Sequence, residues 1–245
     1  MPHRQHRTMS TSTARPSTRS GTAGSTRHAG IERDDVIDAA LALVEVGGSE
    51  ALTMRKLAGE LGVATTTIYW HVGNRDDLVL AVVQRQAERQ AATKVRGDTP
   101  ADRITSAARN IWDNALAHRN VTALASQAGA TTLLELPLEI ALAAELEAAG
   151  LRGRAAADGL RSVLACIAGF LIIAWRREEQ VPDHLRPAAL WSAVEDGRLT
   201  EETLSAMAGS TDLDALFDST LAAIVGGLLA GSAPPAPRPD RKARR

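Results

Sequence analysis

Cysteine is almost absent from this 245-residue chain: Cys166 stands alone. One thiol cannot close an internal disulfide or build a cysteine metal cluster, and such usage suits a reducing compartment. Aromatic side chains are nearly as scarce, at 3% of the sequence, with one Tyr, two Phe and four Trp. Long apolar runs are missing too. The longest, Val163 to Trp175, is thirteen residues, too short to cross a bilayer and suited to a buried helix. The first thirty residues are basic but hold no continuous apolar stretch, so they do not read as a secretory signal. No membrane partner is expected, and a cytoplasmic protein is the default. No alternation of the strand type is found along the chain.

What is present is helix-forming. The apolar fraction is 44%, mostly Ala, Leu and Val, ample for a core and better suited to helices than to sheets. The fold class is therefore all-α. The net charge of −1 conceals an uneven distribution: residues 1–30 carry +5, 31–96 carry −2, 97–231 carry −8 and 232–245 carry +4. Residues 1–30 are rich in Ser, Thr, Arg and Gly, and 232–245 in Pro and Arg; both read as disordered basic arms that bury too little surface to order. Arg19 or Arg27 in the first arm could reach a minor groove. Arginine exceeds lysine by 25 to 3, a bias that suggests a GC-rich bacterial genome. Between the arms, residues 31–78 and 79–231 read as two helical domains.

Caps and apolar periodicity set the expected helices. Val36, Ile37, Ala40, Leu41 and Val44 form one stripe that ends at Gly47-Gly48. Thr53 caps a second helix, closed by Gly62. A short third helix opens near Ala64, with Thr65 the better cap, and closes at Gly73. Asn74 starts a fourth, running to about Val95, with Asp76 and Asp77 favourably placed against its dipole. Thr99 and Pro100 open a helix to about His118. Pro137 opens another, ending at Gly150. Further helices are predicted at about 154–178, 187–195, 200–208 and 212–230.

Residues 53–71 then form a helix, a glycine turn and a short helix, behind a packing helix. This is helix-turn-helix organisation, whose second helix enters the DNA major groove. Thr65, Thr66 and Thr67 offer hydroxyls to phosphates or base edges and methyls to thymine. Tyr69 and His71 carry polar tips. Arg55, Lys56 and Arg75 can reach phosphates, and Arg55 can fork onto a guanine edge. Ile68 and Val72, four apart, face inward toward Leu57 and Leu61. Trp70 divides evenly between this surface and the core.

The stretch "LTMRKLAGELGVATTTIYWHVGNRDDL", residues 52–78, resembles the signature of the tetracycline-repressor (TetR) family, and its "IYWHV" segment the tetracycline-repressor branch itself. The likeness covers about residues 33–80; "ALAHRNVTALAS", residues 115–126, resembles a segment of that branch more weakly. The resemblance implies a base-reading role for Arg55, contacts to bases and phosphates from Thr65, Thr66 and Thr67, to the DNA backbone from Tyr69, His71 and Arg75, and a place near the DNA face for Trp70. Departures from the family pattern imply a different operator: Thr65 and Thr66 stand where the repressor has Gln and Pro. Met54 replaces a phosphate-binding Thr and Gly73 a Lys. The family further implies an effector pocket within residues 80–231 and a homodimer formed by the last long helices. Gln90 occupies the place of one pocket histidine, and the magnesium-binding histidine has no counterpart, so neither tetracycline nor magnesium is carried over.

The expected function is a ligand-responsive repressor, a homodimer on a palindromic operator, binding double-stranded DNA and a small-molecule effector. Trp112, His118, Gln127, Phe170 and Trp175 are the candidate pocket residues; Trp112, Phe170 and Trp175 fit a plain core equally well. No metal site and no cofactor is expected. Cys166 reads as a small buried hydrophobe. Two rivals are an interaction module that has lost DNA binding and an enzyme with an incidental helix-turn-helix. For the latter the sequence offers no phosphate loop, serine elbow or metal-ligand spacing.

Overall fold

The structure, a computed structural model, describes residues 30–176 and 181–232. Nearly all of both basic arms, with Arg19 and Arg27, lies outside the described residues. Among those described, regular structure is helical throughout. Three helices and the start of a fourth form the head: α1 (Arg33–Ala51), α2 (Met54–Leu61), α3 (Thr65–Val72) and α4 (Arg75–Ala91). The body follows as α5 (Pro100–Ala117), α6 (Arg119–Gln127), α7 (Thr131–Ala148), α8 (Arg154–Arg176), α9 (Pro187–Ser192), α10 (Glu201–Ala208) and α11 (Leu213–Ser232).

The predicted caps are in place. Thr53 Oγ1 accepts from the Lys56 N–H at 3.2 Å. Asn74 Oδ1 accepts from the amides of Asp76 and Asp77 at 2.8 and 3.0 Å, while Asp77 accepts from the Asn74 N–H. Thr99 and Asp102 exchange the same pair of bonds, each 3.1 Å. In α1 the helical path breaks at Gly48, whose φ of 65° and ψ of −167° lie outside the helical region, where the Gly47-Gly48 pair predicts a stop.

Three expectations are corrected. Thr65 is not the cap of α3: Ala64 holds that position without a side-chain bond, and Thr65 is the first helical residue. Pro137 does not open α7, which starts six residues earlier and runs through the proline. The missing N–H removes one bond, but Leu134, Leu138, Leu142 and Leu146 bury a single continuous stripe that holds the helix across the gap. Helix α6 was not anticipated at all. It follows α5 directly, with His118 at the junction as the cap of both.

One apolar cluster organises the body. Ile104, Ile111 and Trp112 of α5 meet Leu138, Leu142 and Leu146 of α7, Val163 and Ile167 of α8, and Phe217, Leu221 and Val225 of α11. Ion pairs fasten its rim. Arg103 donates two bonds to Glu145, at 2.7 and 2.6 Å, and Arg109 bridges Asp214 and Asp218 at 2.8 and 2.7 Å. The head is joined to the body by α1 and α4, which pack on α6, and by α4 on α7.

Candidate nucleic-acid interface

The short helix α3 owes its position to two side chains. Ile68 is fully buried and Val72 nearly so, and at i, i+4 they share one face, which holds α3 against α1 and α2. Every other side chain from Thr65 to His71 is left outward or at the margin. Thr66 is exposed, Thr65, Thr67 and His71 are half-buried, Tyr69 is 51% exposed and Trp70 82%. Trp70 is therefore not a core residue; among the described residues its one ring neighbour is the edge of His71 at 4.7 Å. An indole this bare on a monomer is a ready contact surface.

Around α3 stand the three predicted cations. Arg55 and Lys56, in the first turn of α2, are exposed with no ion pair among the described residues. Arg75, first residue of α4, is exposed and reaches the Ser49 carbonyl at 3.5 Å. Met54 turns inward, 8% exposed, so this position offers nothing to a phosphate. Gly73 has a φ of 75°, and a Cβ there would stand 2.5 Å from Asp77 Oδ2, the oxygen that accepts the Asn74 N–H. The bare glycine thus keeps the α3–α4 turn and the cap of α4 intact. The eight predicted residues, Arg55, Thr65, Thr66, Thr67, Tyr69, Trp70, His71 and Arg75, accordingly fall on α2, α3 and the start of α4, all at least partly open to solvent.

Residues 36–82 match the model of the tetR family of bacterial regulatory proteins. That match runs from α1 into α4 and covers less than half of the chain. Over 52 residues it is 48% identical to the class D tetracycline repressor protein of Escherichia coli, a stretch covering 21% of this chain and 24% of that repressor. The chain spans about a quarter of the length of the curated relatives it matches. The body is recognisable by fold alone. The transcriptional regulator SCO7222 of Streptomyces coelicolor superposes with a TM-score of 0.68 at 18% identity, covering 83% of this chain and all of that one. ActR of the same organism, solved in complex with actinorhodin, gives 0.63 at 24% identity, with 84% and 100% coverage.

The five pocket candidates do not converge. Trp112 is buried, stacked on Phe217 at 4.6 Å, edge-on to Phe170 at 6.2 Å, and donates its indole N–H to Asp214 at 3.3 Å. Phe170 and Trp175 are half-buried on the same cluster; the indole nitrogen of Trp175 is buried without a partner among the described residues. His118 stands elsewhere, its Nδ1 3.0 Å from Glu45 Oε1 on α1. Next to it Asn120 donates to the Glu45 carbonyl at 2.8 Å. His118 therefore belongs to the head–body seam. Gln127 is exposed at the end of α6, on a cleft of about 380 Å³ shared with Arg75, Asp76, Val79, Leu80 and Leu124. Cys166 packs against the body cluster, and burial pushes its thiol up from the usual range.

On α4 stand Gln90, which the family resemblance placed at a pocket position, and Gln86, which the sequence reading did not select. Gln86 and Gln90 are 1% and 4% exposed, and Oε1 of each lacks a hydrogen-bond partner among the described residues. A buried acceptor left unpaired costs about 1–3 kcal/mol, so each position is expensive as a purely structural one. The signal was available in the spacing: Val79, Val83, Gln86 and Gln90 recur at steps of four, three and four, the period of one helical stripe.

Proposed function

We propose that this chain is a ligand-responsive transcriptional repressor that binds a palindromic operator as a homodimer, in the cytoplasm. The observation that carries the reading is the exposed Thr65–His71 rod, anchored by Ile68 and Val72 and flanked by Arg55, Lys56 and Arg75. In this reading α3 enters the major groove. Arg55 forks onto a base edge, the three threonines address bases and phosphates, and Tyr69, His71 and Arg75 hold the DNA backbone. Trp70 packs against the sugar–phosphate wall.

The dimer is supported by α8 and α11. Both are long and apolar enough to cross a membrane by composition, yet 28% and 17% of their apolar windows are buried. One face of each lies in the body cluster. The opposite faces expose Ala165, Ala168 and Ile172 on α8 and Ala222, Ala223 and Gly226 on α11. Such small residues allow close approach, and two copies packed through these faces form a four-helix interface. Two heads so paired read half-sites about 34–36 Å apart. The ligand-responsive part rests on the family and on ActR, a relative in fold solved with actinorhodin; the effector acts from the body on α4, which leads directly into α3.

The test is binding of the purified chain to the DNA upstream of its own gene, measured across salt concentrations beside a random duplex. A repressor binds its own site at least a hundredfold tighter at physiological salt, with two chains per duplex. Equal, weak binding to both duplexes would leave a protein-interaction module as the better reading, consistent with the buried Met54 and the uncharged Gly73.

A further inference from the structure

Between α8 and α11 the chain makes an excursion that adds nothing to the core. The turn Asp183–Leu185, α9 and α10 bury no residue, and α9 packs chiefly on α10 and on that turn. Where the excursion leaves α8 and rejoins α11 it walls a groove of about 860 Å³. The groove is lined by Ile173 and Arg176 from the end of α8, by Leu185 and Arg186 before α9, and by Met207 from α10. None of its described lining comes from α1 through α7, so it is separate from the head–body seam. Ile173, Leu185 and Met207 are 46%, 50% and 47% exposed, apolar surface gathered on one hollow rather than scattered. The charge there has one sign: among the described residues, Arg176 and Arg186 are the charged side chains of the lining. Arg186 spends its Nε on Asp183 at 3.1 Å, an exposed pair of the kind that contributes little.

We propose that this groove binds a small amphiphilic anion, a carboxylate carried on an apolar body. Its volume lies in the range of small-molecule sites, about 300–1,000 Å³, which are mostly apolar with a few placed polar groups. The carboxylate meets the guanidinium forks of Arg176 and Arg186, the side chain best shaped to hold it. The body covers Ile173, Leu185 and Met207 and removes their surface from water. A cation of the same shape meets only like charge and is rejected. Bound in this way, the ligand fastens the excursion to the ends of α8 and α11. The competing occupant is a second copy of the chain. The faces assigned above to the dimer, Ala165, Ala168 and Ile172 with Ala222, Ala223 and Gly226, include no residue of the groove. A dimer built on those faces leaves the groove to the small molecule.

The experiment titrates octanoate, 1-octanol and octyltrimethylammonium, one apolar body with three heads, into the full chain by calorimetry at neutral pH. The wild-type chain binds octanoate at least about tenfold tighter than 1-octanol, the worth of one hydrogen bond to a charged group, and the cation weakest. R176Q/R186Q melts at the wild-type temperature, keeps its affinity for 1-octanol and loses the preference for octanoate. M207E, a negative charge set against the apolar lining, loses octanoate binding. Both changes fall on exposed side chains, and if M207E melts lower, R176Q/R186Q decides. Equal affinity for acid and alcohol in the wild-type chain overturns the proposal. So does a preference that survives in R176Q/R186Q, or octanoate binding intact in M207E, since either places the anion elsewhere in the body. Light scattering is run on all three chains. A dimer lost in the variants, with no octanoate bound by the wild-type chain, makes the groove a contact with a second copy and overturns the proposal as well. None of these readouts involves DNA, so the site and the repressor reading stand or fall separately.

Discussion

Removing the Arg55 side chain separates recognition from folding more cleanly than any other change in this chain. Arg55 is exposed and has no ion pair among the described residues, so Arg55→Ala removes no contact the monomer depends on. Surface changes of this kind move stability by no more than about 0.5 kcal/mol. On DNA the expectation is different. A bidentate arginine–guanine contact is worth about 1–3 kcal/mol, and a dimer makes it twice. The loss for the whole operator is therefore about 2–6 kcal/mol, roughly thirtyfold to twenty-thousandfold at about 1.4 kcal/mol per decade. Fluorescence anisotropy on a labelled operator, found by selection with the wild-type chain, measures this beside a random duplex across salt. A base-reading arginine weakens the operator far more than the random duplex and relaxes the sequence preference at one position of each half-site. Equal weakening of both, with a shallower salt slope, makes Arg55 a phosphate contact. Unchanged operator affinity refutes its placement at the interface altogether.

Other expectations follow from the same geometry. Ile68→Ala leaves a hole behind α3 and costs about 2–5 kcal/mol; denaturant titration and operator binding fall together, in contrast to Arg55→Ala. Asn74→Ala removes the cap of α4 and costs about 0.5–2 kcal/mol, read as a lowered melting temperature. The Thr99 hydroxyl and amide hold the Asp102 carboxyl below its usual range. The stabilisation linked to that lowered value is present above the ordinary carboxylate range and is lost as pH falls through the lowered one; Thr99→Ala raises the Asp102 titration midpoint, followed by NMR. Ile172→Arg puts a charge on the exposed face of α8 and yields a monomer by light scattering, with operator affinity reduced in parallel.

The parts of this fold governed by local chemistry were legible. Thr53, Asn74 and Thr99 announced their helices because a short polar side chain before an apolar run has few other uses. Gly48 and Gly62 announced stops because their φ values, 65° and 67°, disfavour other residues. The exposed face of α3 was readable for a similar reason: in eight residues, Ile68 and Val72 are the pair whose spacing fits one buried face. Where tertiary packing decides, the sequence was silent. Helix α6 has no capping side chain, and Val121 and Thr122 disfavour a helix locally; burial of Val121, Leu124 and Ala125 makes it form. Pro137 looked like a helix start because nothing nearby reveals that Leu134 joins the stripe of Leu138, Leu142 and Leu146. Trp70 could not be assigned, since an indole is as common inside as at an interface. Of the pocket candidates, Trp112, Phe170 and Trp175 gather on the α5–α8–α11 core, while His118 and Gln127 stand elsewhere, because the chain order of α5 and α6 does not reveal which of their faces meets which helix.

How the two ends of the molecule communicate depends on what α4 is fastened to. At its start, Asn74 and Asp77 exchange the bonds that cap it, directly after the Gly73 turn from α3. Along one flank, Arg85 and Arg89 tie it to Asp34 and Asp38 of α1. These ties fasten α4 to α1 and fix where it begins after α3. A further connection to the body runs from Glu45 near the end of α1 to His118 and Asn120 at the α5–α6 corner. In the ligand-responsive reading proposed above, an effector that shifts α4 carries the head with it against the bonds of this corner and against the packing of α1 and α4 on α6 and of α4 on α7. Those bonds are few and partly exposed, and exposed ion pairs contribute only about 0–1 kcal/mol. The polar bonds of the corner are thus the smaller part of that resistance, and the packing of α1 and α4 on α6 and of α4 on α7 the larger. An effector repositions the head only so far as its differential affinity for two positions of α4 outweighs that packing.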